Sequence, residues 1–238
     1  MVHSPSPGNR EDGQCDLYEM APLRKKDVVL AAGESGVNAI EFVNAVEEKQ
    51  VAPLASTPVT LRFLLSLYKE NGAFPVSHRD LYLEGCTRLC QEQSKSRSTP
   101  HTRPRVKNSL RFLIAGRIAV CSIFSNRAFI YTGNSSTETR DTDILIDDLI
   151  GAPIRDGSQE LHPSRDDVLE VLDSSLFSSG GADRVVWAHK TYAEFLAAFH
   201  LGREKTPLKN KMAFLGANEH AGKIAPQLHD AAAWMAER

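Results

Sequence analysis

The chain has 238 residues, of which 42% are hydrophobic and 7% aromatic, and its formal net charge is -2. This length and apolar content allow one large domain or two small ones with a real core. The nearly neutral charge argues against general attraction to nucleic acid or anionic membranes, and four scattered cysteines argue against a secreted disulfide framework.

Residues 1–16 form a polar tail rich in Ser, Pro, Gly and charge, which predicts disorder. The tail has no apolar run of the signal-peptide type. No stretch of the chain approaches the ~20 apolar residues that a membrane span needs. We therefore expect a cytoplasmic protein that has no membrane partner.

Helical signals dominate residues 17–93, which we interpret as a helical subdomain. Asn38 and Ser77 are predicted helix caps, because their side chains can accept hydrogen bonds from the first helical turn. Pro58 suits the first turn of a leucine-rich helix, and Gly72 suits the residue that ends it.

A basic, Pro- and Ser-rich linker at residues 94–107 separates this subdomain from a second one at 108–201. Ser164 is a predicted helix cap within it. The strand signal is a β-hairpin, in which Ser175–Phe177 and Arg184–Trp187 flank a turn with two glycines. A helix, a hairpin and another helix in this order indicate a winged-helix domain.

Residues 202–238 contain two further predicted helices, which we interpret as the start of a C-terminal helical region. The predicted fold class is therefore mainly α. It consists of the helical subdomain, the winged-helix domain with one short β-hairpin, and the start of that region. The final helix is amphipathic and lacks a cap signal, so we expect the chain to be a fragment.

The sequence contains no catalytic constellation. The nearest match to a phosphate-binding loop, Gly216–Ile224, is one residue too long and lacks the hydroxyl that binds magnesium. Cys86 and Cys90 could hold zinc together with His78 or His101, but one cysteine pair at this spacing favours packing in a core. We expect neither a metal site nor enzymatic activity from the chain itself.

His189 lies between the predicted hairpin and the helix that starts at Lys190. This position combines an imidazole with the free backbone N–H groups of a helix N-terminus, which suits an anion. The residues alone favour a structural histidine over an anion-binding one.

Three segments resemble NACHT-type STAND NTPases, the signal-transduction class that includes NOD-like receptors and many bacterial defence proteins. Ala188–Phe199 (AHKTYAEFLAAF) resembles the histidine motif of their winged-helix domain. Pro53–Gly72 is similar to the proline-containing sensor motif and the leucine-rich helix of their helical domain. Leu17–Asp27 is similar to the segment that leaves their last core strand, so the resemblance covers residues 17–201.

In that family the proline stacks on adenine, and the histidine contacts the β-phosphate of ADP in a closed, inactive state. The resemblance therefore implies that Pro58 contacts adenine and that His189 contacts phosphate. It implies binding of ADP or ATP only together with an NTPase core, whose phosphate loop, magnesium carboxylates and arginine sensor are missing here. The implied partners are that core, in cis or in trans, and effector and sensor domains.

These observations predict a regulatory, nucleotide-sensing fragment of a STAND ATPase switch in signalling or defence. The alternative is a winged-helix DNA-binding regulator, because such domains often enter the major groove. Against it, the predicted recognition-type helix carries Asp166, Asp167 and Glu170, which would repel phosphates. A purely structural protein-interaction domain is a third interpretation.

Overall fold

A computed structural model of the protein describes residues 21–92, 106–133, 138–156, 158–203, 207–216 and 223–237. The predicted tail at 1–16 and nearly all of the predicted linker at 94–107 lie outside these residues.

The described part of the chain is mainly α-helical with a small sheet. The helices are α1 (Lys25–Glu34), α2 (Ala39–Glu48), α3 (Ala52–Ala55), α4 (Pro58–Asn71), α5 (His78–Gln91), α6 (Asn108–Ser125), α7 (Arg165–Leu172), α8 (Lys190–Arg203), α9 (Leu208–Phe214) and α10 (His229–Ala236). Short 3-10 turns at Ile146–Leu149 and Pro226–Leu228 complete the helical structure of these residues.

Several helix ends follow the predicted capping chemistry. The side chain of Asn38 accepts hydrogen bonds from the first turn of α2, and that of Ser77 accepts one from α5. Ser164 and Asp167 form a complete capping box at α7. Gly72 ends α4 in the left-handed conformation, with φ at 72°, which costs glycine little because it has no Cβ.

The strands are short. They are β1 (Phe129–Tyr131), β2 (Asp143–Leu145), β3 (Ile154–Asp156), β4 (Gln159–Leu161), β5 (Phe177–Ser179) and β6 (Arg184–Trp187). One sheet has the order β2-β1-β6-β5, in which β1 is parallel to β2 and antiparallel to β6. The strands β3 and β4 form a separate antiparallel pair.

The predicted hairpin corresponds to β5 and β6, which pair in antiparallel register. The fold nevertheless contains more strand structure than the single hairpin that the sequence predicted. Residues 144–150, for which the sequence gives no strand signal, begin in β2 and continue as a 3-10 turn. Pairing of β2 with β1 stabilises the extended conformation there, and that pairing is invisible in the local sequence pattern.

Helix α6 lies at the centre of the second half and packs against α5, α7 and α8. Its 18 residues have a mean hydropathy of 1.2, which by length and composition is enough to cross a membrane. Half of this helix is buried inside the fold, and the core helix of a globular domain meets the same criteria. The approach to α8 is close at Gly116, where an added Cβ would lie 2.9 Å from Nδ1 of His200.

The two halves of the molecule meet at the C-terminal end of α5. The backbone N–H of Ser175 donates to the carbonyl of Glu92 at 2.8 Å and to that of Leu89 at 3.1 Å. The buried side chain of Arg111 on α6 donates to the Cys90 carbonyl at 3.1 Å. Arg111 also forms an ion pair with Glu170 of α7, so α5, α6 and α7 share one polar network.

Candidate functional site

His189 lies where β6 ends and α8 begins, as the sequence predicted. The backbone N–H of Ala188 donates to the Leu176 carbonyl at 2.8 Å, which aligns the end of β6 with the start of β5. The side chain of His189 is half-buried, and its ring centroid lies 6.2 Å from that of Tyr192. His189 is therefore not sealed inside the core.

The imidazole of His189 contacts the first turn of α8. The backbone N–H of Thr191 donates to Nδ1 of His189 at 3.3 Å, which is the contact that a helix N-cap side chain makes. The hydroxyl of Thr191 lies 2.8 Å from the same nitrogen. Both contacts restrict the rotation of the ring and direct Nε2 away from the helix.

Burial lowers the pKa of His189 below its ordinary value of 6.5, and a hydrogen bond with the Pro53 carbonyl opposes part of this effect. The first cause disfavours the charged imidazolium because charge is poorly solvated inside a protein. The second places the ring near the Pro53 carbonyl of helix α3, within the segment that resembles the proline motif. The histidine therefore connects the α8 N-terminus with the first half of the molecule.

Pro58 occupies the first position of α4, as the sequence predicted. Its side chain is exposed. The corner between α3 and α4 is held by the hydroxyl of Thr60, which donates to the carbonyls of Leu54 and Thr57. The Ser56 carbonyl at this corner also accepts a hydrogen bond from the backbone N–H of Leu23 at 2.7 Å. Pro58 is consequently fixed on the surface next to the segment that precedes α1.

A groove of about 530 Å³ opens at Pro58 between α1 and α4. Leu23, Leu61 and Leu65 line it, together with the charged side chains of Asp27 and Arg62. His189 is not part of this lining. The structure thus brings His189 to α3 and Pro58 to the adjacent start of α4, but it does not bring both residues into the groove at Pro58.

Glu194 is a buried carboxylate one turn further along α8, with 1% of its surface exposed. Burial raises the pKa of Glu194, the neighbouring Lys190 opposes the shift, and Asp230 on α10 adds to it. The Nζ atom of Lys190 lies 2.7 Å from Oε1 of Glu194. Lys190 is therefore engaged in an ion pair within α8, whereas His189 contacts Thr191 and Tyr192.

The cysteines of α5 occupy the core. Cys86 and Cys90 are both buried, and burial raises the pKa of the Cys90 thiol to about 12. His78 instead lies close to the Lys49 carbonyl, and His101 lies outside the described residues. Within the described ranges, no three His, Cys, Asp or Glu side chains are grouped to hold a metal ion.

A second groove, of about 640 Å³, lies between α8, α9 and α10. Its lining is largely apolar, with Phe195, Phe199 and Trp234 among the side chains, and Arg79 and Lys211 add positive charge. Neither predicted site residue belongs to it. Its aromatic walls belong to the cluster in which Trp234 packs on Tyr82 at a centroid distance of 4.6 Å.

The acidic helix α7 uses much of its charge inside the fold. Glu170 pairs with Arg111, and Asp167 completes the helix cap. Arg165 binds Asp147 and donates to the carbonyl of Thr132. These contacts give α7 a structural role. Arg165 is the one cation of this helix, and it is already bound to other groups of the protein.

Sequence reasoning missed Thr191 as a partner of His189. The available signal was a β-hydroxyl residue two positions after a histidine at a strand-to-helix junction, where side chains bond to free N–H groups. Comparison of this chain with protein-family models, with curated proteins and with solved structures finds no match.

Proposed function

We propose that this chain is the regulatory, nucleotide-sensing part of a NACHT-type STAND ATPase switch, which acts in the cytoplasm in signalling or defence. The observation that carries the proposal is the position of His189. It stands half-buried at the start of α8, and its ring lies near the Pro53 carbonyl in the segment that leads to Pro58. The residue with phosphate-binding chemistry and the proline segment thus belong to one region of the fold.

The chain topology supports a winged-helix arrangement for the second half. The helices α6 and α7 precede the β5–β6 hairpin, and α8 follows it. Strand β1, which lies between α6 and α7 in the chain, pairs with β6, so the three strands have the order β1-β6-β5. In this proposal β2 and the β3–β4 pair are additions to the winged helix.

The proposed mechanism is a two-state switch. An NTPase core, in cis or in trans, would hold ADP or ATP, and His189 would contact phosphate only in the closed state. Contacts made in one state alone shift the population toward that state. Effector and sensor domains are the further partners that this function requires.

We propose that the chain itself does not hydrolyse ATP. Catalysis of phosphoryl transfer depends on a cradle for the phosphates and on metal ions that neutralise developing charge. The 238 residues contain no Gly-x4-Gly-Lys-Ser/Thr sequence to provide that cradle. Nucleotide would therefore be a signal that these residues sense and that an NTPase core, in cis or in trans, processes.

The test joins the chain to the NTPase core of a NACHT-type protein and measures dissociation of a fluorescent ADP analogue. His189→Asn is the informative variant, because asparagine retains a helix-capping acceptor and loses the imidazole. We expect ADP binding to weaken by about ten- to hundredfold, since a hydrogen bond to a charged group contributes about 1.5–3 kcal/mol.

His162→Asn is the matched control, because His162 is exposed before α7 and remote in sequence from the site. It should leave ADP dissociation unchanged. Equal ADP affinity for His189→Asn and the unmodified fusion would refute the proposal. A lower melting temperature with unchanged affinity would assign His189 a structural role only.

A further inference from the structure

The hydrogen bonds around His189 determine which of its ring nitrogens carries the proton. A backbone N–H can only donate, so the 3.3 Å contact from Thr191 requires an unprotonated Nδ1. The Thr191 hydroxyl, 2.8 Å away, then donates to the same nitrogen. A neutral ring whose Nδ1 accepts these bonds must carry its proton on Nε2.

The surroundings of His189 also favour the neutral ring. The group is half-buried, and the N-terminus of α8 carries partial positive charge that disfavours an imidazolium. The groups that face it are the Tyr192 ring, the Pro53 carbonyl and Thr191, whose side chain also bonds with Tyr82 of α5. Among the described residues, no charged side chain shifts the pKa of His189.

We infer that Thr191 is a positioning residue, which holds Nδ1 of His189 as an acceptor and so keeps Nε2–H as a neutral hydrogen-bond donor that faces the Pro53 carbonyl. A ligand group that replaces this carbonyl as the partner of Nε2–H must itself be an acceptor, as a phosphate oxygen is. The identity of that ligand rests on the proposed function, whereas the tautomer rests on the two hydrogen bonds alone.

The tautomer is measured by long-range proton–nitrogen NMR on the full chain labelled with ¹⁵N-histidine. The ring signals of His189 are assigned by their loss in His189→Asn. We expect an unprotonated Nδ1 and a protonated Nε2 at neutral pH. A ring protonated mainly on Nδ1 would overturn the inference.

Thr191→Val tests the role of the hydroxyl, because valine has nearly the same shape and lacks the donor. Loss of a bond that favours the unprotonated Nδ1 should raise the pKa of His189 by about 0.5 to 1. Thr191→Ser should restore the original pKa, because serine keeps the hydroxyl. Thr191→Ala lacks the hydroxyl without adding bulk, and it serves if the valine variant does not fold.

An unchanged pKa in both the valine and alanine variants would show that Thr191 does not position the ring. These measurements use no nucleotide. An unchanged pKa would therefore reject the positioning role of Thr191 and leave the proposed function standing. If the tautomer is as expected and His189→Asn still binds ADP normally in the fusion, the proposed function fails and the positioning role remains.

Discussion

At the scale of single residues, His189 combines a helix-capping contact with a titratable ring. Its folded-state pKa is lowered, so near pH 6 the folded chain binds fewer protons than the unfolded chain. Its contribution to stability is therefore present above pH 6.5 and is lost as the pH falls through the folded-state pKa. Protonation also removes the lone pair that accepts the Thr191 N–H.

We predict that the free energy of unfolding of the native chain falls relative to His189→Asn as the pH decreases from 7.5 to 5. Asparagine retains a capping acceptor and does not titrate, so the difference between the two chains isolates the imidazole. Urea unfolding at several pH values measures it. Parallel pH profiles for the two chains would contradict the prediction, and the exposed His162→Asn should run parallel to the native chain.

The position of His189 could be predicted from sequence, because a strand-to-helix junction is a local feature. Its partners could not, since Pro53 lies more than a hundred positions earlier in the chain. Pro58 was likewise correctly assigned to a helix start, but the groove that opens beside it also depends on α1. Local pattern locates a side chain within its element, whereas a site depends on which elements meet.

At the scale of elements, helices were more predictable than strands. Asn38, Ser77 and Ser164 each act as the cap that their residue type predicted, because capping uses neighbours within three residues. Strands β1 and β2 have three residues each and pair with partners distant in sequence, such as Ile130 with Val185. No local turn signal marks them, whereas the β5–β6 hairpin has one, and Gly157-Ser158 between β3 and β4 is another that the sequence prediction missed.

The close approach of α6 to α8 at Gly116 yields a second prediction. We expect Gly116→Ala to destabilise the protein by about 1–3 kcal/mol, because the new methyl group would overpack the interface. Its Cβ would lie 2.9 Å from Nδ1 and 3.2 Å from Cβ of His200, and the latter is fixed to the α8 backbone. This cost exceeds the gain of up to about 1 kcal/mol from alanine's helix propensity.

Urea unfolding compares Gly116→Ala with the control Gly33→Ala. Gly33 lies exposed in α1, and a Cβ there would meet nothing within 4 Å, so alanine should leave stability unchanged or raise it. Adding His200→Ala to Gly116→Ala should recover part of the loss, since the ring nitrogen is then absent. A neutral Gly116→Ala would show that α6 and α8 can move apart freely.

At the scale of the whole molecule, the two predicted subdomains share contacts that couple their stability. Arg111 has 1% of its surface exposed and joins Glu170 of α7 to the end of α5. A buried ion pair of this kind strongly penalises partial opening, because separation leaves an uncompensated charge in the interior. The bonds from Ser175 to the α5 carbonyls add backbone coupling at the same place.

This coupling predicts that the described halves unfold together in one transition. The chain has two tryptophans, and they report on different regions. Trp187 of β6 packs on Phe177 at a centroid distance of 4.4 Å, whereas Trp234 of α10 packs on Tyr82 of α5. In Trp234→Phe the remaining fluorescence follows the sheet, and in Trp187→Phe it follows the junction of α5 and α10.

For each variant, the urea midpoint from tryptophan fluorescence should coincide with the midpoint from far-ultraviolet circular dichroism, which follows all the helices. Using two probes on the same protein removes any difference in stability between the variants.

The matched control is Arg111→Met with Glu170→Leu in both backgrounds, which replaces the ion pair by apolar groups and should keep the transitions coincident. Arg111→Ala alone removes the cation that pairs with Glu170 and the donor to the Cys90 carbonyl, so the transition should move to lower urea. A dichroism curve with two steps, or a Trp187 midpoint separate from it in the native network, would mean that the halves fold independently and that the contacts at the end of α5 do not couple them.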